Sequence, residues 1–221
     1  MYGDFKPEEL IEEIKNRLIE KPKQSEIKRI REDEPKEIVQ KRVEKVMEVS
    51  MPTFVIGIKG NVPEKDENLV KKHIAIEILL NMIIGKSSKL YKELYEKELL
   101  VSEPFLEYEF GDSYAHIAIS GGSKNPDMVL EEFEKEVKRL RENGIQKDDF
   151  ERIKNMLYGN AVKEFNSVSR IARMFVADYF KGVNSFDYIE EYKLITEEYT
   201  KQILDEVFVE DNTVISIVKG K

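Results

Sequence analysis

Gly85-Lys86-Ser87-Ser88-Lys89-Leu90-Tyr91-Lys92-Glu93-Leu94-Tyr95-Glu96-Lys97 reads as a small-residue turn, a helix start and an amphipathic helix in succession. Ser87 or Ser88 can accept a hydrogen bond from the orphan N–H groups of the first turn. Leu90, Tyr91 and Leu94 then share one face at helical spacing. Upstream, residues 67–84 are apolar over much of a helix circumference, which predicts a buried central helix. Downstream, residues 101–110 and 113–120 have strand character, and Gly111-Asp112 between them signals a tight hairpin turn.

The flanks continue the mixture. Residues 7–20 predict a helix with Pro7 in its first turn and an apolar stripe of Leu10, Ile11, Ile14 and Leu18. Residues 21–36 are polar, hold Pro22 and Pro35, and read as a linker. Residues 37–59 turn β-like, with Val39, Val43, Val46 and Val49 among charges, and Pro52-Thr53-Phe54-Val55-Ile56-Gly57-Ile58 is a more apolar strand. Asn125 is placed to cap a helix with Pro126 at its first position, and Val129, Phe133, Val137 and Leu140 form its stripe up to Asn143-Gly144. Phe150, Ile153, Leu157 and Ala161 mark one further helix; Ile171, Met174, Phe175 and Tyr179 mark the next, which stops near Gly182. Short helices at 185–192 and 196–207 and a last strand at 213–218 complete the pattern. The expected fold class is α+β: a mainly antiparallel sheet with helices packed on one face.

The two ends look alike. Tyr2-Gly3-Asp4-Phe5 looks like the stub of a strand turning into a Pro-Glu-Glu helix, and the last strand exits into Lys219-Gly220-Lys221. This predicts a fragment of a longer, internally duplicated chain. Residues 1–36 would be the tail of a preceding half-unit plus linker, and 37–221 the domain proper.

Composition narrows the function classes. The 221 residues are 41% hydrophobic, enough for a substantial core. They carry 36 basic against 44 acidic residues, a net charge of −8, which argues against nucleic acid or an anionic membrane as partner. The basic cluster Lys28, Arg29, Arg31, Lys41 and Arg42 alternates with Glu26, Glu32, Asp33, Glu34 and Glu37, as on a solvated face. No run approaches the roughly 20 apolar residues of a membrane span. No signal peptide is visible, the opening residues passing directly into a charged helix. The absence of cysteine excludes disulfides and thiolate zinc sites and fits a reducing compartment, so a cytoplasmic location is expected.

Catalytic constellations do not emerge from the residues. The two histidines, His73 and His116, belong to no H-x-x-E-H or H-E-x-x-H pair. His73 and Glu77 lie one helical turn apart but supply too few ligands for a metal, and His73 reads as a polar contact on a helix. His116 would share a sheet face with Tyr114 and Ala118. Asp148 and Asp149 read as acids of a helix first turn. Gly57-Ile58-Lys59-Gly60 lacks the following helix that cradles a phosphate. Phe165, Phe175, Tyr179, Phe180, Phe186, Tyr188 and Tyr192 read as helical core, since no basic stripe accompanies them.

Three segments in order resemble the insulinase/pitrilysin-type zinc peptidases, the inverted-motif zincins. Gly3-Asp4-Phe5-Lys6-Pro7-Glu8-Glu9 is similar to the exit from that family's first half. Leu80-Asn81-Met82-Ile83-Ile84-Gly85 with Ser87-Ser88-Lys89-Leu90 resembles its "L-N-x-x-L-G…S-S-R-L", and residues 196–220 resemble its closing segment. The match is to the second half, which lacks the metal. The resemblance implies a non-catalytic wall of a peptide-binding chamber, inactive alone, with no cofactor of its own. Zinc and the H-x-x-E-H histidines would sit in the N-terminal half, which would be the main partner. Peptide would be the substrate of the intact protein, and self-association stays open. The implied substrate-binding residues are Ser88, Tyr91, Tyr95 and Ser102. Tyr95 and Ser102 stand where the family commonly has an assisting Arg and Tyr. The alternative function is a non-catalytic structural or peptide-binding subunit of a peptidase-like complex.

Overall fold

A computed structural model describes residues 3–18, 35, 37–64 and 68–221. Five strands form one sheet in the order β1-β5-β2-β4-β3. They are β1 (Arg42–Val46), β2 (Thr53–Lys59), β3 (Phe105–Gly111), β4 (Tyr114–Gly122) and β5 (Thr213–Lys219). β2 is central and antiparallel to both β4 and β5; β3 and β4 form the hairpin read from Gly111-Asp112. The edge strand β1 runs parallel to β5, the one parallel pairing in the sheet.

Strict alternation separates the two sheet faces. Phe54, Ile56 and Ile58 of β2, Ala115, Ile117 and Ile119 of β4, Tyr108 and Phe110 of β3, and Ile215 and Ile217 of β5 are all buried. Their register is mutual: Ile56 lies opposite Ile119 on one side and Ile215 on the other. Helix α2 (Leu69–Ile83) packs on that layer and against the helices around it, and nine of its fifteen residues are buried, which makes it the expected central helix. Asn68 caps it, its side chain accepting from the Lys71 N–H at 2.9 Å. The other helices are α1 (Pro7–Arg17), α3 (Lys89–Glu96), α4 (Pro126–Asn143), α5 (Lys147–Glu164), α6 (Val168–Phe180), α7 (Asp187–Leu194) and α8 (Glu197–Val207). α4 starts as its sequence requires, Asn125 accepting from the Met128 N–H and Pro126 occupying the first position.

Four expectations need correction. The strand expected from 101 begins at Phe105. The Leu99 and Leu100 N–H groups fold back to the Leu94 carbonyl, Glu98 takes a left-handed φ of 54°, and Pro104 has no N–H to enter a ladder. In the β-like stretch 37–59 only residues 42–46 and 53–59 pair, so Val39 and Val49 lie outside the strands. The helix expected over 7–20 is Pro7–Arg17, with Ile11, Ile14 and Leu18 exposed, and most of the linker beyond it lies outside the described residues. Finally, Phe175, Tyr179, Phe180 and Phe186 are not core but exposed, while Tyr192 is buried and Tyr188 packs against the core. α6 is amphipathic, but none of its residues is buried, so its apolar side is left facing outward.

Candidate functional site

The residues singled out around Ser87-Ser88 are separated by the structure into distinct jobs. Ser88 is buried at the N-cap of α3 and its Oγ accepts from the Tyr91 N–H at 3.0 Å. Ser87 turns outward and accepts from Arg152 Nη1 at 2.7 Å, while Nη2 of the same guanidinium donates to Asp149 at 2.9 Å. Arg152 therefore ties the first turn of α5 to the turn before α3. These groups line a cleft of about 490 Å³ with Met82, Lys89, Lys92 and Arg139. Arg139 is held by a two-pronged pair with Glu136, both bonds at 2.7 Å. Neither serine contacts a histidine, so the arrangement caps and ties helices and activates no nucleophile.

Tyr91 and Tyr95 meet along α3, their rings stacked at 5.8 Å. Tyr91 is half-buried and Tyr95 exposed. Ser102 is exposed beyond the C-terminal end of α3, in the loop that leads to β3. The structure thus joins Ser88 to Tyr91 through the cap and Tyr91 to Tyr95 by stacking, with Ser102 at the far end of the same helix.

A second cluster lies between α2, α7 and β3. His73 Nδ1 and the Tyr188 hydroxyl are 2.6 Å apart, and the imidazole is ringed edge-on by Tyr108, Phe110 and Tyr188. Glu77 lies one turn on, 3.8 Å from Nε2, and its other oxygen accepts from the Tyr192 hydroxyl at 3.0 Å. Burial pushes the His73 pKa below its ordinary value, Lys181 adding to the effect while Glu77, Asp178 and Glu109 oppose it. Burial also raises the Tyr188 and Tyr192 phenols, with Glu77 adding to both and Asp178 to Tyr188. The cluster is a hydrogen-bonded clamp between helices. Two matched i, i+4 pairs, His73/Glu77 and Tyr188/Tyr192, are the sequence signal that could have found it.

Zinc does not fit this clamp. A site needs three or four ligands, and His73 and Glu77 are two, with Nδ1 and one carboxylate oxygen already engaged. Among the described residues, no group of three or more His, Cys, Asp or Glu converges on a point. His116 stands on the opposite sheet face beside Tyr114, their rings 5.9 Å apart. No described helix is long and apolar enough to cross a membrane.

The remaining surface of interest is that opposite sheet face. Thr53 and Val55 of β2, Tyr114 and His116 of β4, Phe105 and Glu107 of β3, and Ser216 of β5 are exposed on it. It presents alternating apolar, hydroxyl and charged groups over the breadth of the sheet.

A family model described as the Peptidase M16 inactive domain matches residues 1–157. The chain is 28% identical to a Bacillus subtilis protein named as an uncharacterized zinc protease, YmfH, over 99% of this chain and 52% of that one. The structure of an M16-like peptidase from Alicyclobacillus acidocaldarius has a TM-score of 0.87 at 24% identity, covering 98% of this chain and 52% of the other. A protease from Helicobacter pylori has a TM-score of 0.81 at 19% identity, covering 99% and 53%. At these identities the structures establish the fold. The chain spans about half the length of the curated relative it matches. The family match covers the first two of the three segments quoted for the resemblance, at residues 3–9 and 80–90. The chain belongs to the Peptidase M16 inactive domain family.

Proposed function

We propose that this chain is the half of a two-half zinc peptidase that holds peptide without performing chemistry. The observation that carries this reading is the uncovered sheet face. Helices and core close one side of the sheet, and Val55, Phe105 and Tyr114 stand exposed on the other among Thr53, His116, Glu107 and Ser216. A broad surface with apolar and hydrogen-bonding groups in alternation suits an extended, unfolded peptide. In this reading the open face is one wall of a chamber. The metal and the water-activating groups belong to the preceding half of the full-length protein, which is the principal partner. Tyr95 and Ser102 reach the peptide at and just beyond the C-terminal end of α3, while Ser88 acts indirectly, by holding the helix start that positions Tyr91.

The test is reconstitution. The 221-residue chain and the preceding half are produced separately and assayed with zinc and an unfolded, internally quenched peptide. Hydrolysis is expected with both together and with neither alone, and a photoreactive peptide should crosslink to the face holding Val55 and Tyr114. Hydrolysis by the 221-residue chain alone, or crosslinks confined to the helical side, overturns the proposal.

A further inference from the structure

The cleft of about 490 Å³ between α3, α4 and α5 holds more positive charge than its helix ties use. Lys89 and Lys92 of α3, Arg139 of α4 and Arg152 of α5 line it, with Glu136 and Asp149 as the acids among its described lining residues. Each acid is engaged by an arginine. Glu136 accepts from Nε and Nη2 of Arg139, and Asp149 accepts from Nη2 of Arg152. These bonds fix both guanidinium groups, and they leave Nη1 of Arg139 and Nε of Arg152 as further donors. The lysines stay uncompensated within the cleft. Lys92 has no ion-pair partner among the described residues, and Lys89 meets only Glu93, outside the lining and 3.6 Å away.

Such a surplus runs against the rest of the chain, whose net charge is −8. Like charges gathered on one concave wall repel one another, and an anion seated among them relieves the repulsion. The floor beneath them is apolar: Leu140 is buried and Met82 packs on the core. A lone inorganic anion would fill little of this volume, whereas a cleft of this size suits a small organic molecule. Two uncompensated positive charges match a phosphate monoester, which carries about −1.5 to −2 at pH 7. Pre-oriented guanidinium donors match its oxygens.

We propose that this cleft binds a small phosphorylated molecule, with its phosphate among Lys89, Lys92, Arg139 and Arg152 and its body over Met82 and Leu140. Met82 and Leu140 belong to the layer that covers the other side of the sheet, so this site is separate from the open sheet face. It goes beyond the peptide-holding reading and does not depend on it.

The test is calorimetric titration of the 221-residue chain with phenyl phosphate at fixed ionic strength. Saturable one-to-one binding is expected with a Kd of about 1 mM or tighter. Inorganic phosphate should bind about tenfold more weakly, because it leaves the apolar floor uncovered. Phthalate, which offers two carboxylates on the same ring, should also bind at least about fivefold more weakly. Lys89→Gln/Lys92→Gln should weaken phenyl phosphate binding about tenfold or more. Both side chains are exposed, so the melting of the chain should not change. Lys201→Gln removes a charge on α8, outside the cleft, and should bind as the parent does. In the ¹⁵N-labelled parent, amide shifts on adding phenyl phosphate should centre on Ser87, Lys92, Arg139 and Arg152. No saturation by about 10 mM overturns the proposal. So does equal affinity for inorganic phosphate or phthalate, or an equal loss in Lys201→Gln, which would make the attraction a diffuse one. Shifts centred on Val55 and Tyr114 would put the ligand on the open sheet face and overturn it as well.

Discussion

At Gly85 the chain passes from α2 into the turn before α3 with no room for a side chain. A Cβ there would lie 2.7 Å from both the Cα and the carbonyl oxygen of Asn81. Backbone atoms cannot step aside, so Gly85→Ala should cost about 1–3 kcal/mol in urea unfolding. A neutral outcome would mean that the turn is looser than its geometry. The need for glycine was legible in the small-residue run before the helix, but the choice between Ser87 and Ser88 as cap was not. Arg152, 65 residues away, engages Ser87 and leaves Ser88 to the helix. His73 was read correctly as a polar contact, but its partner Tyr188 lies 115 residues on, and the matched i, i+4 spacing of His73/Glu77 and Tyr188/Tyr192 hints at the pairing without fixing it. Burial holds the folded imidazole below the ordinary 6.5. Between the folded and unfolded pKa values the unfolded chain binds the extra proton, so stability rises with pH there. This contribution is complete above 6.5 and is lost as pH falls through 6.5 toward the folded pKa. His73→Gln, which keeps an acceptor for the Tyr188 hydroxyl, should show a smaller drop in stability between about pH 8 and about pH 5.5 than the parent. Equal drops would remove His73 from the account.

Elements were most legible where one face is buried and the other wet. β2 and α4 alternate at the period of their structure, and both the buried positions and the caps follow directly from residue type. Legibility failed where the pattern is apolar without a dry partner in this chain. The stripe of α6 signals burial, and burial depends on what lies opposite, which a local pattern cannot specify. Contacts of α1 with the domain should matter little, because none of its residues is buried. Removing residues 1–18 should therefore shift the melting temperature by less than about 2–4 °C, the equivalent of about 1 kcal/mol in a domain of this size. A larger fall would show that α1 is integral to this fold.

For the whole molecule, periodicity yielded a sheet with one covered face but not its strand order. That β5, the last strand, inserts between β1 and β2 is a long-range choice, made by the shared burial of Ile215 and Ile217 with Phe54 and Ile56. The same limit applies to function. If an active site is assembled from two halves, as proposed, one half keeps only the groups that touch the peptide, and these carry no motif of their own. The proposed contacts can still be weighed by chemistry. Tyr95 supplies no cation, and the hydroxyl of Ser102 is too short to reach as far as a tyrosine would. If the full-length protein is a peptidase, charge developing on the scissile carbonyl must be stabilised by the metal and the other half. Tyr95→Phe or Ser102→Ala in that protein should then change kcat/KM by less than about tenfold, against the ~10²–10³ lost with a true oxyanion donor. The small effect should fall on KM for long peptides more than on kcat, because contacts made equally in ground and transition states lower KM alone. A loss of the larger size in kcat, with fold and zinc content unchanged, would return these two side chains to the chemistry and overturn the proposed wall role.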